Sequence, residues 1–242
     1  MNLVGKRLLL LSNSSQHGRG YLDHAETEVR DLLRSRSRVL FVPYALKNLD
    51  GYAEIARKRF ETMGYQMESV HRSASPRTAV ESTEALFIGG GNTFRLLKML
   101  CENQLLEAIR QRVAAGMPYM GASAGTVVAC PTIRTTNDMP IVEPPSLTAL
   151  GLVPFQINPH YLDPDPNSTF MGETRETRLM EFHEENTVPV FGLREGDMLR
   201  IGNGSVLHKG TKSIRIFRQG QEPVEAPAGS TLDSYLGLSP QR

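Results

Sequence analysis

Short apolar segments alternate with amphipathic segments throughout the first half of the chain. Strands that lack polar alternation are typical of sheets with both faces covered. The alternation of strand and helix therefore predicts an α/β fold, with a mostly parallel sheet and helices on both faces. The predicted strands are Arg7–Ser12, Val39–Tyr44, Met67–His71, Ala85–Ile88 and Pro118–Gly121. The predicted helices are Tyr21–Arg34, Gly51–Met63, Asn92–Leu100 and Leu105–Ala115, and a further helix begins within Ala124–Cys130.

The second half of the chain has a different pattern. Residues 131–175 are rich in proline and polar groups, and long irregular stretches of this kind usually carry function. Strands are predicted at Met198–Ile201, Ser205–His208 and Ser213–Arg218, with a type I′ hairpin turn at Asn203-Gly204. We therefore expect one α/β domain over residues 1–242, with a β-rich C-terminal extension.

Composition narrows the range of partners. The 242 residues include 27 Lys and Arg against 26 Asp and Glu, a formal net charge of +1. This balance argues against a nucleic-acid or anionic-membrane partner, because those partners normally require a basic patch.

Apolar residues make up 40% of the chain, but no apolar run approaches the roughly 20 residues that span a bilayer. With only Cys101 and Cys130 there is no disulfide framework, so we expect a cytoplasmic protein.

The sharpest local feature is Gly121-Ala122-Ser123-Ala124-Gly125, a G-x-S-x-G pattern between a predicted strand and a predicted helix. A nucleophilic serine in such a turn needs small neighbours, because the turn is strained and exposed. The following helix would direct free N–H groups at a developing oxyanion. The pattern alone is weak evidence, and a tight structural turn packed with small residues explains it equally well.

Gly89-Gly90-Gly91-Asn92-Thr93 also follows a predicted strand, so it should lie at the same sheet edge as Ser123. It lacks the Lys of a phosphate-binding loop and the third Gly of a dinucleotide motif. An N–H of Gly90 or Gly91 could join that of Ala124 in an oxyanion site. The alternative is an ordinary glycine turn.

A serine nucleophile needs a base. Of the six histidines, His160 lies in the irregular region, where loops would cross the sheet edge. A solvated or capping loop histidine is the alternative. No two histidines have H-x-x-x-H spacing and the two cysteines are isolated, so we expect no metal site and no cofactor.

Several longer motifs occur in order along nearly the whole chain, and their combination is far more specific than the serine turn. They closely resemble those of peptidase E, the α-aspartyl dipeptidase family of serine peptidases. The motifs are Leu10–Ser14, Gly89–Phe94, Ser123–Gly125, Cys130–Val142, Gln156–His160, Gly172–Glu176 and Gly192–Gly196.

The resemblance implies a fold similar to class I glutamine amidotransferases and cleavage of dipeptides that begin with aspartate. It implies no metal or cofactor, a small-molecule dipeptide as the partner, and a monomer or homodimer. The residues it implies are Ser123 as nucleophile, His160 as general base, Glu195 or Asp138 as the acid behind it, Gly91 and Ala124 as oxyanion donors, and Arg175 as the group that binds the substrate aspartate.

Each role has an alternative. Asp138 and Glu195 both lie in turn-like sequences, and Arg175 and Arg178 could pair with Glu173, Glu176 or Glu181 on a helix face. Relatives often carry an aromatic residue where this chain has Ala122, which predicts a wider pocket. Competing functions are a serine hydrolase of another aspartyl compound, such as the polymer cyanophycin, and a non-catalytic domain that binds acidic ligands. A cysteine-type amidotransferase is disfavoured because serine stands at the turn.

Overall fold

The computed structural model describes residues 3–167, 169 and 171–238. The first strands are β1 (Leu8–Leu11), β2 (Arg38–Val42), β3 (Gln66–Ser69), β4 (Leu86–Ile88) and β5 (Tyr119–Ala122). The later strands are β6 (Gln156–Pro159), β7 (Val190–Leu193), β8 (Met198–Gly202), β9 (Ser205–Lys209), β10 (Ile214–Phe217) and β11 (Val224–Ala226). The helices are α1 (Glu26–Leu33), α2 (Leu49–Thr62), α3 (Pro76–Ser82), α4 (Thr93–Glu102), α5 (Leu105–Ala114), α6 (Ala124–Val127) and α7 (Arg175–Glu185). Among the described residues, no helix is long and apolar enough to cross a membrane.

The main sheet has seven strands in the order β3-β2-β4-β5-β1-β8-β9. Neighbours from β3 to β1 run parallel, whereas β8 pairs antiparallel with β1 and β9 antiparallel with β8. The turn between β8 and β9 is formed by Asn203 and Gly204, both with positive φ, as a type I′ turn requires. The predicted mostly parallel sheet and its β-rich extension are confirmed.

Both faces are buried along β1, β4 and β5 at the centre of the main sheet, and side chains alternate between the faces along each strand. In β1, Leu8 and Leu10 belong to the apolar layer with α4, α5 and α6, whereas Leu9 and Leu11 belong to the layer with α1 and α2. All four leucines are fully buried. Coverage of both faces explains why the strand sequences show no polar alternation.

A second sheet has four strands in the order β11-β10-β7-β6. β6 and β7 are parallel and are joined through α7, while β10 is antiparallel to both β7 and β11. This sheet packs against the α4–α6 side of the main sheet, where Phe155 and Phe191 share that apolar layer at a ring-centroid distance of 4.8 Å. The strands predicted in the C-terminal tail are therefore divided between two sheets.

Several predicted boundaries differ from the structure. A 3₁₀ turn at Asp23–Ala25 precedes α1, so the helix predicted from Tyr21 begins later, and α6 ends at Val127, before Cys130. The sequence analysis did not predict α3, β6, α7, β7 or β11. The first of these had a recognisable signal, because Ser75 caps α3 and Pro76 occupies its first turn.

We predict that Gly125→Ala destabilises the protein by about 3 kcal/mol, because backbone crowding outweighs a gain of about 1 kcal/mol in helix propensity. A Cβ on Gly125 would lie closer than 3.0 Å to the carbonyl oxygen of Ile88 in β4. Urea unfolding measures the change. In the control Gly202→Ala, the new Cβ would have Arg200 Nη1 as its nearest neighbour, 3.9 Å away. Equal destabilisation by the two substitutions would contradict the crowding argument.

Candidate active site

Ser123 lies in the turn between β5 and α6, with φ 50° and ψ −109°. Its N–H donates to Leu11 O in β1 at 3.0 Å, which ties the turn to the main sheet. A Cβ on Gly121 would lie closer than 3.0 Å to Gly125 O, so both glycines of the G-x-S-x-G pattern are required by close backbone approach. Positive φ at a serine is a strained conformation that surrounding structure must maintain.

The structure brings Ser123, His160 and Glu195 into one hydrogen-bonded line. His160 Nε2 lies 3.0 Å from Ser123 Oγ, and His160 Nδ1 lies 2.7 Å from Glu195 Oε1. Because a carboxylate accepts and does not donate, Nδ1 carries the proton and Nε2 is free to accept from the serine hydroxyl. His160 directly follows β6 and Glu195 follows β7, so the parallel pairing of these strands brings the two side chains to one edge.

Asp138, the other candidate acid, is bound elsewhere. Its Oδ2 accepts from the N–H of Thr93 at 2.7 Å, from Thr93 Oγ1 at 2.5 Å and from Thr136 Oγ1 at 3.1 Å. Thr93 is the first residue of α4, where a carboxylate is favoured by the helix dipole. Asp138 makes no hydrogen bond to His160, so of the two carboxylates only Glu195 contacts the imidazole.

Two residues that the sequence analysis did not assign position this line. Ser12, at the end of β1, is fully buried; its hydroxyl donates to Leu193 O at 2.8 Å and accepts from His160 N–H at 2.8 Å. Asn13 Oδ1 accepts from Gly196 N–H at 2.8 Å and so holds the turn that contains Glu195. Their sequence signal is the abrupt change from four leucines to polar residues where β1 ends.

Two backbone N–H groups beside Ser123 are free to bind an oxyanion. Gly90 N–H donates to Tyr52 Oη at 2.8 Å, so of the two glycines the sequence left open, Gly90 is already engaged. In the part of the chain that the structure describes, the N–H groups of Gly91 and Ala124 make no hydrogen bond. Gly91 has φ 131°, and a Cβ there would clash with Ala45 O, so glycine is required.

Arg175 begins α7 and is half-buried. Of the pairs that the alternative interpretation expected, Arg178 contacts Glu173 at 3.4 Å, whereas Glu176 contacts Arg215 of β10 at 3.1 Å. Within residues 3–167, 169 and 171–238, the guanidinium of Arg175 makes no ion pair or hydrogen bond. Burial and the charge of Arg178 lower the pKa of Arg175, and the nearby Asp138 opposes that shift.

Two further side chains are buried away from the site. Ala122 is fully buried in the apolar layer beneath α1 and α2, so its small size affects packing there and does not line the open cleft at Ser123. Cys130 is fully buried beyond the end of α6, and burial raises the pKa of its thiol to about 12. A thiol with that pKa stays protonated near neutral pH and is a poor nucleophile.

The family model for peptidase family S51 matches residues 8–208. The chain belongs to this family. It is therefore a serine-type peptidase, and the family resemblance seen in the sequence is confirmed. Peptidase E of Streptomyces coelicolor is 54% identical over 231 residues, which cover 96% of this chain and 95% of that protein. A probable alpha-aspartyl dipeptidase of Drosophila melanogaster is 47% identical over 216 residues, covering 88% of this chain and 90% of its own.

Solved structures agree on the fold of this S51 member. A putative peptidase E protein from Listeria monocytogenes superposes with a TM-score of 0.59 at 23% identity, over 93% of this chain and 99% of that one. A peptidase from an acI-B1 Actinobacterium gives a TM-score of 0.68 at 16% identity, over 94% of this chain and 98% of its own.

We predict that Ser12→Ala lowers the free energy of unfolding by about 2 kcal/mol, because it leaves the His160 N–H without its acceptor and removes one of the two hydrogen bonds that Leu193 O accepts, the other coming from Tyr161 N–H. Chemical denaturation measures the loss. Ser35→Ala, at an exposed position in the turn after α1, is the matched control and should change stability by less than about 0.5 kcal/mol. Similar unfolding midpoints for the two variants would show that the Ser12 hydroxyl does not hold the two sheets together.

Proposed function

We propose that this peptidase hydrolyses dipeptides whose first residue is aspartate, through an acyl-enzyme on Ser123. The observation that carries the proposal is the line from Ser123 Oγ through His160 to Glu195, with contacts of 3.0 and 2.7 Å. Hydroxyl, imidazole and carboxylate in this order activate a serine nucleophile. The name of the Drosophila relative, a probable alpha-aspartyl dipeptidase, supports the choice of substrate.

The reaction proceeds in two halves. Ser123 Oγ attacks the peptide carbonyl while His160 Nε2 takes the hydroxyl proton, and Glu195 stabilises the resulting imidazolium. The N–H groups of Gly91 and Ala124 stabilise the oxyanion. His160 then gives its proton to the leaving amine as the C–N bond breaks, which leaves an aspartyl ester on Ser123. A water molecule, deprotonated by His160, attacks that ester; as the bond between the acyl carbon and Oγ breaks, His160 returns the proton to Ser123 Oγ and aspartate is released.

Arg175 supplies the selectivity for aspartate. A guanidinium can hold a carboxylate through two parallel hydrogen bonds, and that of Arg175 has no carboxylate partner among the described residues. A substrate with an uncharged first side chain would leave this half-buried cation unpaired. Such a substrate is rejected strongly, because the cost of an unpaired polar group is larger than the gain from an ordinary contact.

We predict that purified protein cleaves Asp-Leu much faster than Asn-Leu, Glu-Leu or Ala-Leu, and that Ser123→Ala lowers kcat for Asp-Leu by about 10⁴-fold or more. Chromatography of released leucine measures the rates, and circular dichroism checks that the variant is folded. Substantial turnover by Ser123→Ala would overturn the mechanism.

In the same panel of dipeptides, Arg175→Ala should reduce cleavage of Asp-Leu far more than that of Ala-Leu. An equal fall for both would remove Arg175 as the selecting group.

We predict that Glu195→Gln lowers kcat by about 10⁴-fold, because an amide no longer fixes the imidazole tautomer or stabilises its charge. Asp138→Asn is the matched substitution at a carboxylate that contacts Thr93 and Thr136 in place of His160. It should cost kcat less than Glu195→Gln does. The reverse order in steady-state kinetics with Asp-Leu would assign the acid to Asp138.

A further inference from the structure

An open cleft adjoins Ser123 on the side of the main sheet that carries α1 and α2. Ser123 and His160 form one end of the cleft, and Tyr21, Tyr52 and Ile55 reach it from the α2 side. The complete lining is Asn13, Ser14, Ser15, Tyr21, Leu46, Tyr52, Ile55, Gly90, Gly91, Ser123 and His160. His160 is the one titratable base in this lining, and the other groups are neutral at pH 7.

Two large apolar side chains in this cleft are exposed. Leu46 is 39% exposed, and Ile55 is 52% exposed although it lies on α2, whose other outward-facing residues are polar or charged. Packing against the rest of the described chain leaves both side chains partly uncovered. Large apolar side chains left exposed beside a candidate nucleophile indicate contact with an apolar part of a ligand.

The opposite side of Ser123 carries charged groups, beside exposed apolar side chains such as Met139 next to Asp138 and Leu162 in the pocket that Arg175 lines. Asp138 is bound to the first residue of α4, and Arg175 lies close enough to Asp138 for their charges to interact. The charged groups therefore lie on the α4 side of the sheet edge, and the apolar cleft lies on the α2 side. A substrate that crosses the edge has its two halves in these two environments, with the scissile carbonyl at Ser123.

The charge distribution decides which half lies where. If Arg175 holds the aspartate side chain, the residue that follows the scissile bond must extend away from it, toward the α2 side. Its amine must also lie within reach of His160 Nε2, which donates the proton that releases it. His160 is part of the cleft lining.

Resting on the proposed function, we propose that this cleft binds the side chain of the leaving residue and selects dipeptides whose second residue is apolar. Leucine, methionine and phenylalanine fit the lining, whereas a charged side chain would lose water without gaining a partner of opposite charge. The terminal carboxylate keeps its water, because the cleft is open and Ser15 in its lining is exposed.

The floor of the cleft is fixed before substrate binds. Tyr52 Oη accepts from Gly90 N–H at 2.8 Å and is 3.3 Å from Tyr21 Oη. The Tyr52 ring also packs edge-on against Phe41 at a centroid distance of 5.0 Å. These contacts hold the two tyrosines of the cleft floor in place, so binding an apolar side chain there costs the protein little conformational entropy.

The first test is a panel of Asp-X dipeptides that differ only in the second residue. We expect kcat/KM for Asp-Leu to exceed that for Asp-Asn, which is similar in size, by about tenfold or more. Asp-Phe should be cleaved as well as Asp-Leu, and Asp-Glu and Asp-Lys at least as poorly as Asp-Asn. Equal kcat/KM across the panel overturns the assignment of the cleft while leaving the proposed function intact. Failure to cleave any Asp-X dipeptide overturns both.

The second test changes the cleft. Ile55→Lys should raise the ratio of kcat/KM for Asp-Glu to that for Asp-Leu by about fivefold or more, because apolar contact is lost and a cation is gained. Ile55 is half exposed, so the substitution leaves the core unaltered. Lys58→Ala, on an exposed position of the same helix outside the cleft, is the control and should leave this ratio within about twofold. An unchanged ratio in Ile55→Lys, or an equal change in the control, overturns the proposal.

Discussion

The buried hydroxyl of Ser12 joins the two sheets that together carry the candidate reacting groups. Ser123 belongs to the main sheet, whereas His160 and Glu195 follow strands of the second sheet. A hydrogen bond of 3.0 Å between Ser123 and His160 can exist only if the two sheet edges keep a fixed separation. Ser12 supplies that restraint by bonding at once to the backbone before Glu195 and to the backbone of His160. A hydroxyl suits this role because it donates and accepts together.

Much of the fold could be predicted from the sequence, because the main sheet is built from local patterns. Four consecutive leucines in β1 and the small residues around Ser123 each identify a buried strand or a strained turn without help from distant residues. The second sheet was harder, since β6 contains two polar residues and a proline and so lacks the apolar pattern that identified β1.

The same distinction applies to the site. Ser123 and His160 could be singled out by motif and by resemblance, but local sequence left Glu195 and Asp138 equivalent, since both lie in turns. The difference between them is tertiary: the turn after β7 brings Glu195 to the imidazole, while Asp138 lies on the first residue of α4. Ser12 and Asn13 act through contacts with residues more than 140 positions away, which no periodicity reveals.

The segment that runs from the end of β6 through α7 and β7 holds His160 at its start, Arg175 at the first turn of α7 and Glu195 just after β7. The proposed base, selecting cation and acid thus occupy one contiguous stretch of the chain, while the proposed nucleophile lies outside it. The two strand ends are fixed by pairing with each other, whereas Arg175 lies on the helix between them and takes no part in that pairing. A family built on this plan can diversify in the side chain it recognises while its proton-transfer geometry stays constant.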